Sequence, residues 1–241
     1  MDKYSLYVSN FLPCKEYFVP ELNQACPGCG LALAIRQTYK ALGTGIEKGA
    51  WASTEHGKAG AAGSGLFGAG ATDVTFLTIP KARGKLVICC DNEAGGSLAD
   101  LLEKPMPRLA ASQGFSYVAT ACPSYPFDLY DKMKRAFKST ADAYVHVLCP
   151  CPPGWKFDAD FTVKLGRLAV ESRAFPLYEA GAGAYGLTVK TGKPRPLADY
   201  LKAQGRFEKL SEGEMAEAQA SVDRAYKHLE GLIQQYLDAV A

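Results

Sequence analysis

Apolar residues recur along this chain in two periods that alternate. Leu31, Ile35, Tyr39 and Leu42 lie three or four positions apart, the spacing of one helix face, and Gly43 supplies a stop. At 75–79, 85–90, 116–122 and 144–148 the apolar residues instead form short, nearly continuous runs bounded by turn residues, as strands buried on both faces do. Helical segments fit at 98–113, interrupted by Pro105 and Pro107, at 126–138, and at 158–173. This order predicts an α/β fold with a doubly wound parallel sheet. In such sheets ligands collect outside the carboxyl ends of the strands, where Asp91-Asn92-Glu93-Ala94, Cys122-Pro123 and the segment 149–155 fall.

After Ala174 the pattern changes. Segments 176–179 and 185–190 flank Ala-Gly-Ala-Gly-Ala and read as a hairpin. The tail, 211–240, opens with Ser211 and Glu214 spaced as a capping box and carries an apolar stripe of Met215, Val222, Tyr226, Leu229, Ile233 and Leu237. The expected organisation is an α/β domain at 1–173 and an appendage of hairpin and docking helix at 174–241. The Gly/Ala-rich stretch 57–70 reads as a loop that a ligand or another backbone can approach closely.

Composition narrows the functional classes. With 241 residues, 48% of them hydrophobic, the chain can bury a sizeable core. A net charge of +2 with dispersed Lys and Arg offers no basic stripe, so neither nucleic acid nor an anionic membrane is an expected partner. The opening Met1-Asp2-Lys3-Tyr4-Ser5-Leu6 lacks the apolar core of a signal peptide, and no uncharged stretch is long and apolar enough to span a bilayer. A cytoplasmic location is expected. In a reducing compartment, eight cysteines serve metal, redox chemistry or packing rather than a disulfide scaffold.

Their clustering carries the chemistry. Cys26 and Cys29 lie in Cys-Pro-Gly-Cys-Gly at the start of the first predicted helix, and Cys149 and Cys151 lie in Cys-Pro-Cys-Pro-Pro-Gly-Trp after the run 144–148. Thiols on tight Pro/Gly turns aim at one point while neighbouring amides hydrogen-bond to them, which suits iron or zinc. The competing reading is two buried structural pairs. Cys89, Cys90 and Cys122 are expected to be buried at strand ends, His146 to be packed within a strand, and His228 to be solvated on the last helix. Gly63, Gly65 and Gly68 imitate a dinucleotide fingerprint, with Asp91 as its acid. No strand precedes them, and Pro80 lies inside the interval that the following helix and strand need.

Cys-Pro-Gly-Cys-Gly, Ile88-Cys89-Cys90-Asp91-Asn92-Glu93-Ala94, Tyr117-Val118-Ala119-Thr120-Ala121, the segment 149–155 and Tyr200-Leu201-Lys202-Ala203-Gln204-Gly205-Arg206-Phe207 occur in the same order as in the β subunits of pyruvate:ferredoxin oxidoreductases. The chain resembles that family from about residue 20 to 210. The resemblance implies a thiamine pyrophosphate-type fold. It also implies thiamine pyrophosphate held through magnesium, and a 4Fe-4S cluster, within a complex that oxidises a pyruvate-like 2-oxoacid to an acyl-CoA and passes electrons to ferredoxin or another acceptor. Coenzyme A, the 2-oxoacid and α-type, γ-type and ferredoxin-like subunits are the implied partners, and the glutamate that activates the cofactor is expected from the α-type chain.

Carried onto this chain, the resemblance assigns Cys26, Cys29 and Cys151 to the cluster, with His56 or Cys149 standing in for a fourth cysteine that the sequence lacks. Asn92 and Ala94 match the later magnesium positions. Gly63-Ser64-Gly65 stands where the family has Gly-Asp-Gly, so a hydroxyl replaces a carboxylate, and Asp73 is offset from it. Gly95-Gly96-Ser97-Leu98 replaces the family's Tyr-Met-Asn-Thr-Gly, and the chain is shorter than usual members. A non-catalytic structural or electron-relay subunit without thiamine is the alternative expectation.

Overall fold

The computed structural model describes residues 25–43, 50–53, 74–92, 98, 106–181 and 183–240. Seven strands form one sheet: β1 Ala50–Ser53, β2 Val74–Pro80, β3 Lys85–Asp91, β4 Tyr117–Ala121, β5 Ala143–Leu148, β6 Tyr178–Gly181 and β7 Ala184–Leu187. Their spatial order is β1-β2-β3-β5-β4-β6-β7. The helices are α1 Gly30–Leu42, α2 Met106–Ser112, α3 Pro126–Lys138, α4 Pro152–Trp155, α5 Thr162–Glu171, α6 Leu197–Lys202 and α7 Glu212–Val240.

The α/β class stands, and the expectation of a wholly parallel sheet is corrected. Among the described strands only β3, β5 and β4 run parallel, through the pairs Cys89↔His146 and Thr120↔His146 on either side of β5. β2 runs antiparallel to β3 from Val74↔Asp91 to Pro80↔Lys85. The four residues between them are too few for a crossover helix, and Lys81 N–H donates to the Gly84 carbonyl (3.0 Å) to close a tight turn. The C-terminal hairpin β6–β7 forms where expected, but it continues the main sheet by pairing antiparallel to β4, Val118↔Ala180. β1 is a strand that the sequence pattern did not mark.

β5 is buried at every position, as a strand covered on both faces must be. One face carries Ile88, Cys90, Ala119, Val145 and Val147 against Ala34 and Ala41 of α1 and Leu129 and Met133 of α3. The other carries Val87, Cys89, Val118 and Tyr144 against Ala110 of α2 and Leu229 of α7. A third cluster, with Trp155, Leu165, Ala169, Tyr200 and Val222, caps the carboxyl ends of the parallel strands. At about 25 cal/mol per Å² of apolar area buried, each large side chain in these layers contributes roughly 1.5–3 kcal/mol.

Local signals set the helix ends. α1 stops at Gly43, whose N–H bonds the Tyr39 carbonyl with φ of 64°. α7 opens on the expected capping box: the Ser211 hydroxyl accepts from Glu214 N–H (3.2 Å), and the Glu214 carboxylate accepts from Ser211 N–H (2.8 Å). The Ser211 hydroxyl (2.7 Å) and Ser211 N–H, both donating to the Glu214 carboxylate, hold it below its ordinary range. Val222, Tyr226 and Leu229 of the α7 stripe are buried, whereas Leu237 is half exposed near the helix end. In α3, Lys132 is fully buried, its ammonium donating to the Thr120 carbonyl and to Asp128 (2.7 Å each). No helix among the described residues is long and apolar enough to cross a membrane.

Candidate functional site

Because β3, β4 and β5 are parallel, Asp91-Asn92, Cys122 and Cys149 leave the sheet on the same edge. Two cysteine segments meet there. Cys29 N–H closes a turn onto the Cys26 carbonyl (3.1 Å), and Gly30 N–H, the first amide of α1, donates to the Pro150 carbonyl (3.0 Å). Gly30 is required by this approach, since a Cβ would stand 2.6 Å from both the nitrogen and the oxygen of Pro150. Thr162 at the start of α5 fixes the same turn from the other side, its hydroxyl donating to the Gly28 carbonyl (2.6 Å).

Cys26 is exposed, Cys29 and Cys151 are half-buried, and none of the seven described cysteines is in a disulfide. The thiols are soft donors of the kind that iron and zinc take, and they lie on abutting Pro/Gly turns beside a helix N-terminus. Among the described residues no three His, Cys, Asp or Glu side chains are already drawn together as a metal-binding group. Cys149 does not share this face. It is fully buried, its thiol donates to the Val147 carbonyl (3.5 Å), and it packs with Cys90 in the α1 layer, whereas Cys151 lies against the Trp155 cluster. Cys149 and Cys151 thus pack in different layers of the fold. His56, Gly63, Ser64, Gly65, Asp73 and Ala94 lie outside the described residues.

The cysteine loop is tied directly to the strand that carries Asn92. Cys149 N–H donates to the Asp91 carbonyl (2.8 Å), and the Trp155 indole N–H donates to the Asn92 carbonyl (2.7 Å). Trp155 is completely buried, and its own N–H bonds back to the Cys151 carbonyl (2.8 Å). Sequence reasoning missed this link, although a Trp immediately after a Cys-Pro-Pro-Gly turn is its visible signal. It also missed a buried polar chain in which His146 bonds the Tyr144 hydroxyl through Nδ1 (2.9 Å) and the Asp91 carboxylate through Nε2 (3.1 Å). His146 is packed, as expected, and His228 is exposed.

Burial shapes the electrostatics of this edge. Cys89, Cys90 and Cys122 are buried at strand ends, as expected. Burial pushes the Cys122 thiol up to about 11, against the hydrogen-bonding Ser124 amide, and raises the Cys149 thiol well above its ordinary value, with neighbouring Cys90 adding to the effect. The Tyr144 phenol is raised by burial and by Cys89. Burial lowers the Arg206 guanidinium to about 10, while Tyr200, Cys151 and Asp91 act in the opposite direction.

The carboxyl edge of this α/β sheet thus gathers the two cysteine segments and Asn92. The chain is 30% identical to pyruvate synthase subunit PorB of Methanothermobacter thermautotrophicus over 285 aligned positions, covering 90% of this chain and 99% of that protein. A shorter match, 39% identical, joins 54% of the chain to 44% of pyruvate synthase subunit PorB of Methanocaldococcus jannaschii. Another, 34% identical, joins half of it to 39% of ketoisovalerate oxidoreductase subunit VorB of Pyrococcus abyssi. These two matches span less than half the length of the relatives concerned. No protein-family model matches the chain. The chain belongs to the family of β subunits of 2-oxoacid:ferredoxin oxidoreductases.

Proposed function

We propose that this protein is the β-type subunit of a multi-subunit oxidoreductase that converts a pyruvate-like 2-oxoacid to an acyl-CoA and delivers the electrons, through an iron-sulfur cluster in this chain, to ferredoxin or a similar acceptor. The observation that carries the reading is the Gly30 N–H to Pro150 carbonyl bond, which joins the two cysteine segments at the edge where Asn92 emerges. Two relatives named for pyruvate synthase and one named for ketoisovalerate oxidoreductase support the substrate class.

When bound, thiamine pyrophosphate supplies a nucleophilic carbanion and an electron sink for decarboxylation, and a 4Fe-4S cluster takes electrons singly. The chain's own residues hold and align these groups. Cys26, Cys29 and Cys151 would hold the iron, and Asn92, Ala94 and Gly63-Ser64-Gly65 are the positions that would hold magnesium and the cofactor's diphosphate. Trp155 ties the Cys151 turn to the Asn92 carbonyl, which would hold the two proposed sites in a fixed relation to each other. The α-type, γ-type and ferredoxin-like subunits supply the activating glutamate, the substrate contacts and the onward electron path.

The test is thiamine pyrophosphate and iron per copy of this chain, in the native complex purified anaerobically through a tag on this subunit. About one thiamine per chain, lost in Asn92→Ala, supports the catalytic reading. A value near zero that Ser64→Asp leaves unchanged or restores overturns it, leaving a structural or electron-relay subunit.

A further inference from the structure

A cavity of about 80 Å³ lies beneath α7, between that helix and the β6–β7 hairpin. Phe175, Tyr178, Tyr185, Val222, Tyr226 and Leu229 supply its apolar walls, with the Tyr178 and Tyr185 ring centroids 6.2 Å apart. Ala225 and His228, both exposed, mark where it opens to solvent. One water needs about 10–15 Å³, so the cavity has room for a short aliphatic chain. Voids larger than a water are few in close-packed interiors, and this one sits where the apolar stripe of α7 meets the sheet.

Arg173 brings a charge to this lining. It stands just past α5 with φ of 65°, a left-handed backbone that glycine adopts freely and other residues do not, so an arginine occupies the position against local preference. Its guanidinium lies over the Tyr226 ring, 4.0 Å from the centroid. Its side-chain hydrogen bonds go to neutral oxygens and are long: Nε to the Thr191 hydroxyl (3.3 Å), and Nη2 to the Thr191 and Gly192 carbonyls (3.4 and 3.5 Å). An ordinary N–H···O bond measures about 2.7–3.2 Å. Nη1 donates to no described residue, and no described carboxylate pairs with Arg173. Thr120, which also lines the cavity, is already satisfied, because its hydroxyl donates to the Pro176 carbonyl (2.7 Å) and accepts from Tyr178 N–H (3.0 Å). The cavity therefore offers a ligand apolar walls and one half-buried, under-partnered cation.

We propose that this cavity is a binding site for a small aliphatic monocarboxylate, with the carboxylate on Arg173 and the chain among Tyr178, Tyr185 and Leu229. A guanidinium binds a carboxylate through charge-assisted hydrogen bonds, which are shorter and stronger than those it makes here to Thr191 and Gly192. One cation balances a monoanion, whereas a phosphate dianion would find only this guanidinium and an exposed histidine. A neutral apolar molecule would gain nothing from the charge. Apolar walls with one or a few placed polar groups are the usual makeup of a small-molecule site. The site goes beyond the proposed reaction and does not depend on the reading of Cys26, Cys29 and Cys151 as ligands.

The experiment is a calorimetric titration of the anaerobically purified complex with butyrate, with butyramide as the uncharged comparison of the same length. Butyrate is expected to bind with a dissociation constant of about 1 mM or tighter, and butyramide about tenfold more weakly. Arg173→Met is expected to weaken butyrate about tenfold, and Arg173→Lys to retain most of the affinity. Ala225→Trp, which places a large ring at the exposed mouth, is expected to abolish binding while the complex still assembles. Butyrate binding at wild-type strength in Ala225→Trp puts the ligand elsewhere in the complex and overturns the proposal. So does no binding at about 20 mM, equal binding of butyrate and butyramide, or an unchanged affinity in Arg173→Met. If Arg173→Met does not assemble, butyrate against butyramide in the wild-type complex decides the role of the charge.

Discussion

The Trp155 indole N–H and the Asn92 carbonyl, 63 residues apart in sequence, meet at 2.7 Å, so the cysteine loop and the end of β3 form one unit. The donor belongs to the turn that carries Cys151, and the acceptor is the backbone of Asn92, just past the end of β3. Trp155→Phe keeps most of the buried ring but leaves that carbonyl without its donor. The expected cost is about 1–3 kcal/mol of stability, together with reduced thiamine retention. Calorimetry and thiamine content of the purified complex check both.

Gly30→Ala places a methyl group against the Pro150 backbone. In an isolated helix the change is favourable by about 1 kcal/mol, so helix propensity cannot explain a loss. The expected outcome is that the Cys29 and Cys151 segments move apart and iron per chain falls by half or more, with the helical signal in circular dichroism unchanged. Wild-type iron content in Gly30→Ala would show that the close approach is unnecessary for the cluster.

His146→Leu removes a side chain that is 1% exposed and bonded on both sides, which leaves the Tyr144 hydroxyl and the Asp91 carboxylate each short of a partner. Losing the two bonds is expected to cost about 0.5–1.5 kcal/mol for the neutral one and about 1.5–3 kcal/mol for the one to the carboxylate. His146→Asn, which can still donate, is expected to recover part of it. Denaturant midpoints of the three proteins measure the difference.

Cys122 gives a pH dependence with a definite sign. Its thiol ionises at about 11 in the fold and near its ordinary value of 9.0 when unfolded, so the folded state binds more protons between the two. Stability from this group is complete below about pH 9 and is lost as pH rises towards 11. The two-unit gap corresponds to about 2–3 kcal/mol. Cys122→Ala is expected to flatten the alkaline fall in melting temperature, and an unchanged profile would contradict the assignment.

The periodicities of α1, α3 and α7 were legible because each buries a stripe of its own residues, and the Ser211–Glu214 box was legible because its partners are three apart. The runs behind β3, β4 and β5 were legible because central strands are apolar on both faces. Strand direction was not: residues 81–84 form a tight turn, so β2 runs antiparallel to β3, and hydrophobicity alone does not distinguish the two arrangements. β1 was missed because four residues of mixed character carry almost no periodic signal. Of the site, the cysteine turns could be named from residue type and spacing, and Asn92 only through the family resemblance. Trp155 and His146 could not, since each acts through a partner distant in the chain.

The amino-acid sequence by itself determined the α/β class, the α7 cap and the edge where Asp91, Cys122 and Cys149 emerge, because these follow from local periodicity and chain order. The tertiary structure alone decided that Cys149 turns into the core while Cys151 stays at the edge, that Gly30 abuts Pro150, and that a cation rests over Trp155. Each of those outcomes depends on two segments meeting in space, where excluded volume, desolvation and hydrogen-bond geometry choose among arrangements that local sequence leaves equivalent.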